Sequence, residues 1–521
     1  MDSKKSFYLT TPIYYVNSVP HLGTAYTTIA ADTLARYRRM CGDDVWFLTG
    51  LDEHGQKIAE AAEQNNSTPQ DWVDAIAPKF LDAWKLLNIS NDDFIRTTQE
   101  RHERGVQHLV QVLYDRGEIY KGQYEGWYCV PDETYYTEDQ LHEDHTCPQC
   151  SRKVEFVQED NYFFKLSAYQ DRLLALYEAN PHLIQPETRR NEVLSFVNGG
   201  LRDLSISRTN VKWGIPLPWD ETHTIYVWFD ALINYITAVG YGDPDPAAQA
   251  EFEKRWPAQF HFVGKDIIRF HCVIWPAMLL AAGLPVPERV FAHGFLLTKG
   301  EKMSKSKGNA MAPADLVAKF GVDAYRYYFL REVQFGVDGS ISLEAMVQRY
   351  NGDLANDWGN LCSRLFNMVG KYCEGTVPQP SGEPTDDDAE LIAIAEAMPA
   401  AFEARMDVLD YVGAIEIAWE IIKRTNRYIE DSAPWNLAKS EDTLPRLHTV
   451  LYNALEAVRI AALFTAPVMP VTSAEVWSRM GLGDPVAVTD IANEAAWGTL
   501  PVGNAVVKGD ALFQRMVEPA E

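Results

Sequence analysis

FYLTTPIYYVNSVPHLGTAYTTIAADTLARYRRMCGDDVWFLTGLDEHG (residues 7–55) decides the fold. Its opening, FYLTTPI (7–13), is rich in aromatic and β-branched residues and predicts a strand. Pro20 and Gly23 punctuate a loop. From Thr24 to Arg39 the pattern is helical, and DVWFLTGLDEHG (44–55) predicts a buried strand that ends in polar residues. Strand, loop, helix, strand is the opening of a parallel α/β sheet, because a parallel neighbour is reached only through a crossover.

Outward from this stretch, HTIYVWFDALINYI (223–236), FHFVGKDIIRFHCVIWPAMLLAAG (260–283) and VFAHGFLL (290–297) continue the strand and helix alternation. Between them, residues 118–160 change to Tyr, Asp, Glu, Cys and His with little periodicity, the texture of an insertion. Beyond about residue 350 the chain turns helical. Leu354, Trp358, Leu361, Leu365 and Val369 form one amphipathic stripe, and Leu447, Leu451, Leu455, Val458 and Ala462 form another. Both predict packing faces. PQPSGEPTDDD (378–388) predicts a polar, proline-rich loop inside the helical part.

A chain of 521 residues is too long for one ordinary domain. With 46% hydrophobic and 12% aromatic residues it can bury sizeable cores, which excludes a disordered protein. The N-terminus lacks the apolar run of a signal peptide, and the longest uncharged apolar stretch, Cys272 to Pro287, is broken by Pro276 and Pro285. Seven cysteines, of which only Cys147 and Cys150 sit close together, exclude a disulfide framework and predict a reducing, cytoplasmic setting without a membrane. A formal charge of −26 argues against a nucleic-acid partner, since phosphate binding rests on Lys and Arg.

Two short stretches oppose that charge. PHLGTAY (20–26) sets His21 and Gly23 at a predicted helix N-terminus, where free N–H groups and the helix dipole favour phosphate. KGEKMSKSKGN (299–309) gathers four lysines among small residues. Mobile ammonium groups there could close on a polyphosphate. No G-x-x-x-x-G-K-[ST] loop occurs: Gly-Lys pairs at 264–265 and 370–371 are followed by Asp and Tyr.

KMSKS (302–306) and HLGT (21–24), with TTPIYYVN (10–17), FLTGLDEHG (47–55), YVWFDALINY (226–235), FVGKDIIRFH (262–271), GFLLTKGEKMSKSKGN (294–309) and DSAPW (431–435), fall in one order. In that order the chain resembles the class I aminoacyl-tRNA synthetases, and among them the methionyl-tRNA synthetase family in its bacterial form. The resemblance implies a Rossmann-like α/β catalytic domain in halves (1–117 and 223–290), split by a connective insertion with a metal knuckle (118–222). A KMSKS and stem-contact region (291–350) and an all-α, helical-bundle anticodon-binding domain (351–521) would follow. The implied activity joins methionine to tRNA(Met), initiator and elongator, through methionyl-adenylate. The carboxylate of L-methionine attacks the α-phosphate of ATP, which arrives with Mg²⁺, and pyrophosphate leaves. No enzyme nucleophile is needed, so positioning and charge stabilisation carry the chemistry.

By the same resemblance His21, Thr24, Lys302 and Lys305 are catalytic. Tyr15, Asn17, His21, Gly23, Lys265, Asp266, Gly294 and Lys305 hold ATP. Ile13, Tyr15, Asp52, Trp228, Tyr235, His271 and Trp275 form the methionine pocket, with Asp52 on the α-ammonium and aromatic walls suited to a polarizable thioether. Thr24 stands where the family usually has a second histidine; its hydroxyl can donate one hydrogen bond but carries no charge. Little dependence on that position is expected.

CVPD (129–132) and CPQC (147–150) make one and a half C-x-x-C pairs. Cys129, Asp132, Cys147 and Cys150 could hold a structural zinc, with His142 or His145 as an alternative fourth ligand and a metal-free knuckle as the other outcome. Asn360 and Arg364, four apart on one helix face, and Trp435 after Pro434 match the family's anticodon readers. Arg36, Arg38 and Arg39, with Lys423, Arg424 and Arg427, are the expected basic ground for tRNA. No further C-terminal domain follows residue 521, so a monomer is expected. The alternatives are a sister synthetase for another apolar amino acid, or a catalytically silent RNA-binding relative.

Overall fold

The structure, a computed structural model, describes residues 4–16, 19–130, 134–136, 138–142, 144–298, 301–302 and 312–516. Six parallel strands form the central sheet: β1 (Ser6–Tyr15), β2 (Asp44–Asp52), β3 (Asp93–Arg96), β4 (Ile184–Gln185), β5 (Phe260–Gly264) and β6 (Val290–His293). Their order is β3-β2-β1-β5-β6-β4, and every pairing is parallel. β1 and β2 are buried along most of their length, which is why their sequences read as near-continuous apolar runs. The short edge strand β4 returns from within the 118–222 segment and pairs with β6.

α1 (Leu22–Met40) follows β1 and is buried on nearly every turn, with both sheet and helical bundle against it. Its start lies two residues earlier than the hydrophobic pattern suggests, because His21 caps it through its side chain. A cap is invisible to apolar periodicity. α2 (Glu100–Asp115) and α3 (Val227–Leu232) pack on the other side of the sheet.

The insertion is an antiparallel sheet in which Ile119–Cys129 lies between Thr134–Tyr136 and Glu155–Phe164, with Leu204–Ser205 at the edge. Among the described residues its tip has a small core of its own, Cys129, Tyr136, Cys147 and Val154 with a few half-buried neighbours. So small a cluster needs a staple.

The helical part is built from α4 (Asn360–Tyr372), α5 (Asp386–Met406), α6 (Tyr411–Ser432) and α7 (Leu444–Thr465). Both predicted stripes are buried: Leu354, Trp358, Leu361, Leu365 and Val369 on the run into α4, and Leu447 to Ala462 on α7. From Thr449 onward α7 is buried all round, as the central helix of a bundle must be. The proline-rich connector is shorter than its sequence suggested. Thr385 caps α5 with its side chain and Asp386, Asp387 and Asp388 form the first turn, where acidic residues suit the helix dipole.

The α/β and helical parts are joined through a buried arginine. Arg326 is fully buried and donates to the carbonyls of Pro467, Val468 and Leu87 at 2.8–3.2 Å, while pairing with Asp32 of α1 at 2.7 Å. The Tyr411 hydroxyl adds a 2.6 Å bond to the Ala30 carbonyl. Among the described residues no helix is long and apolar enough to cross a membrane.

Candidate active site

Strand order reverses between β1 and β5: the chain leaves β1 towards β2 on one side, while β5 lies on the other. In open α/β sheets ligands bind at the C-terminal strand ends beside such a switch point. The PHLGTAY loop follows β1 there, and Lys265 and Asp266 follow β5. Two stretches 240 residues apart are thus brought to one crevice by topology alone.

At this corner His21 is exposed and its Nδ1 accepts from the backbone N–H groups of Gly23 (3.0 Å) and Thr24 (3.3 Å). Nδ1 as a double acceptor carries no proton, which places the ring's N–H at Nε2. Thr24 reciprocates, its Oγ1 accepting from the His21 N–H at 2.9 Å and donating to the His21 carbonyl at 2.7 Å. This is a capping box with His and Thr in its two places. The hydroxyl expected to serve a substrate is engaged in holding the helix end instead, because a threonine at the third helical position reaches the cap backbone.

Lys265 is held at 2.7 Å by Asp338, whose other oxygen accepts from the Phe295 N–H at 2.8 Å. Asp266 is exposed. Gly294 lies where a Cβ would sit 2.2 Å from the Val337 carbonyl carbon, so only glycine allows these segments to touch. Glu301–Lys302 forms a two-residue strand antiparallel to Leu296–Thr298. Asn17, Lys305 and the rest of the lysine stretch from Met303 to Met311 lie outside the described residues, as does the side chain of Lys302.

On the other side of β1 the side chains expected to receive methionine are largely buried. Asp52, at the end of β2, is 2% exposed. Ile13 and Tyr15 of β1 are half-buried, and the Tyr15 hydroxyl donates to the His54 carbonyl at 3.0 Å. Trp228 stacks on Phe270 at 4.2 Å. Tyr235 donates to Nε2 of His271 at 2.7 Å, while Nδ1 of that ring faces the Ile267 carbonyl at 3.0 Å and must be its protonated nitrogen. Burial pushes the His271 imidazolium down to about 4. Trp275 is fully buried and donates to Nε2 of His261, whose Nδ1 faces Thr10. Burial also drives His261 well below the ordinary histidine range. Both rings are neutral, so the aromatic end of the pocket is polar without charge.

Three groups that had no role in the sequence reading sit behind this pocket: His54, His102 and Asp230 are all buried and joined to one another. His54 and Asp230 lie in stretches (47–55 and 226–235) whose resemblance was noted without assigning them a part. A buried carboxylate flanked by apolar residues in WFDAL was the available signal.

In the insertion, the sulfurs of Cys129, Cys147 and Cys150 lie within 4.8 Å of one another, Cys129 and Cys150 at 3.5 Å. Tetrahedral zinc with Zn–S bonds of about 2.3 Å separates its thiolates by about 3.8 Å, so the three fit as ligands. Asp132 lies outside the described residues. His142 and His145 do not bring a ring nitrogen into the cluster.

Asn360 and Arg364 stand one turn apart on α4, Asn360 exposed and Arg364 3.4 Å from Glu430. Trp435 follows Pro434 at the start of a short helix and is 42% exposed, unusually open for a tryptophan. The expected basic ground is corrected. Arg36, Arg38 and Arg39 pair with Asp32, Asp43 and Asp92, and Arg424 is buried between Asp387 and Glu390. Arg427 is exposed but paired with Asp431. Carboxylates on the same helix, in adjoining loops or on the neighbouring α5 neutralise these arginines, which a one-dimensional charge count cannot see, while Lys423 is exposed.

The chain that builds this switch-point site matches the family model described as tRNA synthetases class I (M), over residues 7–155 and 150–366. The chain belongs to that class. The anticodon binding domain of methionyl tRNA ligase matches residues 377–520. The chain is 50% identical to methionine–tRNA ligase of Thermotoga maritima over 98% of its length and 80% of that protein's. It is 49% identical to that of Streptomyces coelicolor over 99% and 97%. The Mycobacterium tuberculosis methionyl-tRNA synthetase in complex with methionyl-adenylate superposes with a TM-score of 0.93 at 44% identity, covering 98% of this chain and all of that one. The chain is a member of the methionyl-tRNA synthetase family.

Proposed function

We propose that the crevice at the β1/β5 switch point activates methionine with ATP and passes it to tRNA, and that the residues gathered there divide the work as follows. His21 donates through Nε2–H to the phosphates of ATP, its tautomer set by the two backbone N–H groups that Nδ1 accepts. Gly23 and the positive dipole end of α1 lie beside that path. Lys302 and Lys305 close on the triphosphate as charge moves to the leaving pyrophosphate. Tyr15, Asn17, Asp266 and Gly294 border the nucleotide. Lys265 exchanges Asp338 for phosphate when ATP with its Mg²⁺ arrives, which the 2.7 Å pair supports as a poised resting contact.

Asp52 receives the α-ammonium. Its burial strengthens a charge-assisted bond that water would otherwise screen. Ile13, Tyr15, Trp228, Tyr235, His271 and Trp275 enclose the thioether, and the neutrality of His271 lets an apolar side chain enter without desolvating a charge. In the insertion, Cys129, Cys147 and Cys150, with Asp132 as the fourth ligand, hold a structural zinc that staples the small tip core. Asn360, Arg364 and Trp435 read the anticodon of tRNA(Met), initiator and elongator, with the open Trp435 face as a stacking surface. The chain works as a cytoplasmic monomer.

The observation that carries the catalytic reading is the juxtaposition at one sheet edge of a phosphate-binding helix start and a buried carboxylate beside uncharged aromatic walls. Methionine-dependent exchange of labelled pyrophosphate into ATP tests it, with valine, isoleucine and homocysteine in parallel. Strongest exchange with methionine is the expected result. No exchange with any of the four, from folded protein, overturns it.

A further inference from the structure

Behind the methionine pocket, Asp230 is fully buried on α3, two residues after Trp228. One of its oxygens lies 2.7 Å from Nδ1 of His54, and the other 2.7 Å from Nε2 of His102. His54 belongs to the loop that runs from Asp52 to the helix Gln56–Gln64, and His102 belongs to α2. The second nitrogen of His102 reaches Thr237 at 2.9 Å, so the chain of contacts closes back onto the segment that carries Tyr235. The loop at 52–55 is also fastened by Tyr15 on the His54 carbonyl, by Trp213 Nε1 on the Glu53 carbonyl at 2.6 Å, by the Glu53 N–H on Thr97 at 2.9 Å and by Arg96 on the Glu53 carboxylate at 2.6 Å. Asp230 ties it, through His54, to the helix that bears Trp228.

We propose that Asp230 is the positioning residue of the methionine site, setting through His54 and His102 the separation between Asp52 and the wall formed by Trp228 and Tyr235. The proposal rests on the reading that Asp52 and those aromatic residues hold methionine. A carboxylate suits this task because its two oxygens accept along diverging directions, and a charged acceptor makes both bonds short and directional. A reacting carboxylate displaced by about 1 Å loses much of the advantage of being held in place, so a brace on the ammonium side acts on the reacting end too. The electrostatics agree with the geometry. Burial by itself would raise the Asp230 carboxyl, and the two imidazoles more than offset that and hold it below the usual range. Burial would lower His54, and the charge of Asp230, with Glu103 and Glu53 behind it, raises it instead.

Asp230→Asn keeps the shape and offers one acceptor in place of two. In pyrophosphate exchange it is expected to raise KM for methionine about tenfold while KM for ATP stays within about twofold. Thermal unfolding is followed in parallel. Unchanged methionine KM, or methionine and ATP constants that worsen together with a fallen Tm, overturns the proposal. Should Asp230→Asn not fold, His54→Ala and His54→Asn replace it. The alanine variant is expected to weaken methionine, and the asparagine amide to restore most of it by donating to Asp230 again; equal behaviour of the two overturns the proposal. Asp52→Asn separates the layers. If it leaves methionine KM unchanged, the pocket reading itself fails. If it weakens methionine while Asp230→Asn does not, only the positioning role fails.

Discussion

The two sides of β1 are built by opposite rules. On the nucleotide side His21 and Asp266 are exposed and Lys265 is half-buried, and the described residues are held by a helix cap and a lysine–aspartate pair. On the methionine side Asp52, Tyr235, His271 and Trp275 are all at most 2% exposed, and Tyr235 with His271 and Trp275 with His261 are bonded ring to ring. The difference follows the ligands. A triphosphate brings charge that water and mobile lysines can accommodate, and it must leave as pyrophosphate. A thioether is distinguished from its neighbours only by shape and desolvation, where one methylene is worth about 1–3 kcal/mol, so its pocket has to be rigid beforehand.

The largest expected effect lies on the open side. Lys305→Ala should slow pyrophosphate exchange by about 10² to 10³, the usual loss when one donor to developing charge is removed, with little change in Tm. An equal fall in stability would mean that the lysine segment is structural after all. On the closed side Asp52→Asn should raise KM for methionine, at about 1.5–3 kcal/mol for a lost charged hydrogen bond, and leave KM for ATP alone. Steady-state exchange with each substrate varied in turn reads the contrast directly.

Away from both, Cys147→Ser should lower zinc content well below one ion per chain and lower Tm by a few degrees. Metal analysis of protein purified without chelator checks this, and metal-free wild-type protein would refute the staple. Thr24→Ala should cost about 1 kcal/mol of stability through the broken cap and slow exchange only a few-fold, while Thr24→Ser should preserve both. Abolished exchange in a folded Thr24→Ala protein would place the hydroxyl on the substrate.

The smallest effect concerns the joint between catalytic and helical parts. Burial would raise Asp32, but Arg36 and Arg326 outweigh it and bring its carboxyl from 3.8 down to about 2. A carboxyl depressed in the folded state stabilises above its unfolded value and loses that contribution as pH falls through the folded one. Between pH 3.8 and about 2 the wild type should therefore lose stability more steeply than Asp32→Asn. Parallel acid titrations followed by circular dichroism would show it, and equal slopes would remove Asp32 from the account.

Much of this was legible in one dimension. The strand–loop–helix–strand opening and both amphipathic stripes depend on periodicity, which reports burial wherever an element has one buried face. Cys129, Cys147 and Cys150 came from spacing, and the sulfurs do converge. Missed were features made by residues far apart in the chain. Arg36 and Arg424 look like surface cations in a string of letters and are in fact buried against carboxylates. Asp230 looks like a surface residue in an apolar helix and proves to be the centre of a three-element contact.

The amino-acid order alone determined which segments become strands and helices, that a parallel sheet would result, and which family the chain belongs to. Those properties rest on local patterning and on short stretches whose chemistry is carried by neighbours a few residues apart. Only the tertiary structure decided which charges remain for a polyanion, that Thr24 closes a helix end, and that one buried carboxylate braces the methionine side. Those properties depend on what the fold brings within about 3 Å across a hundred or more residues, where burial multiplies each interaction.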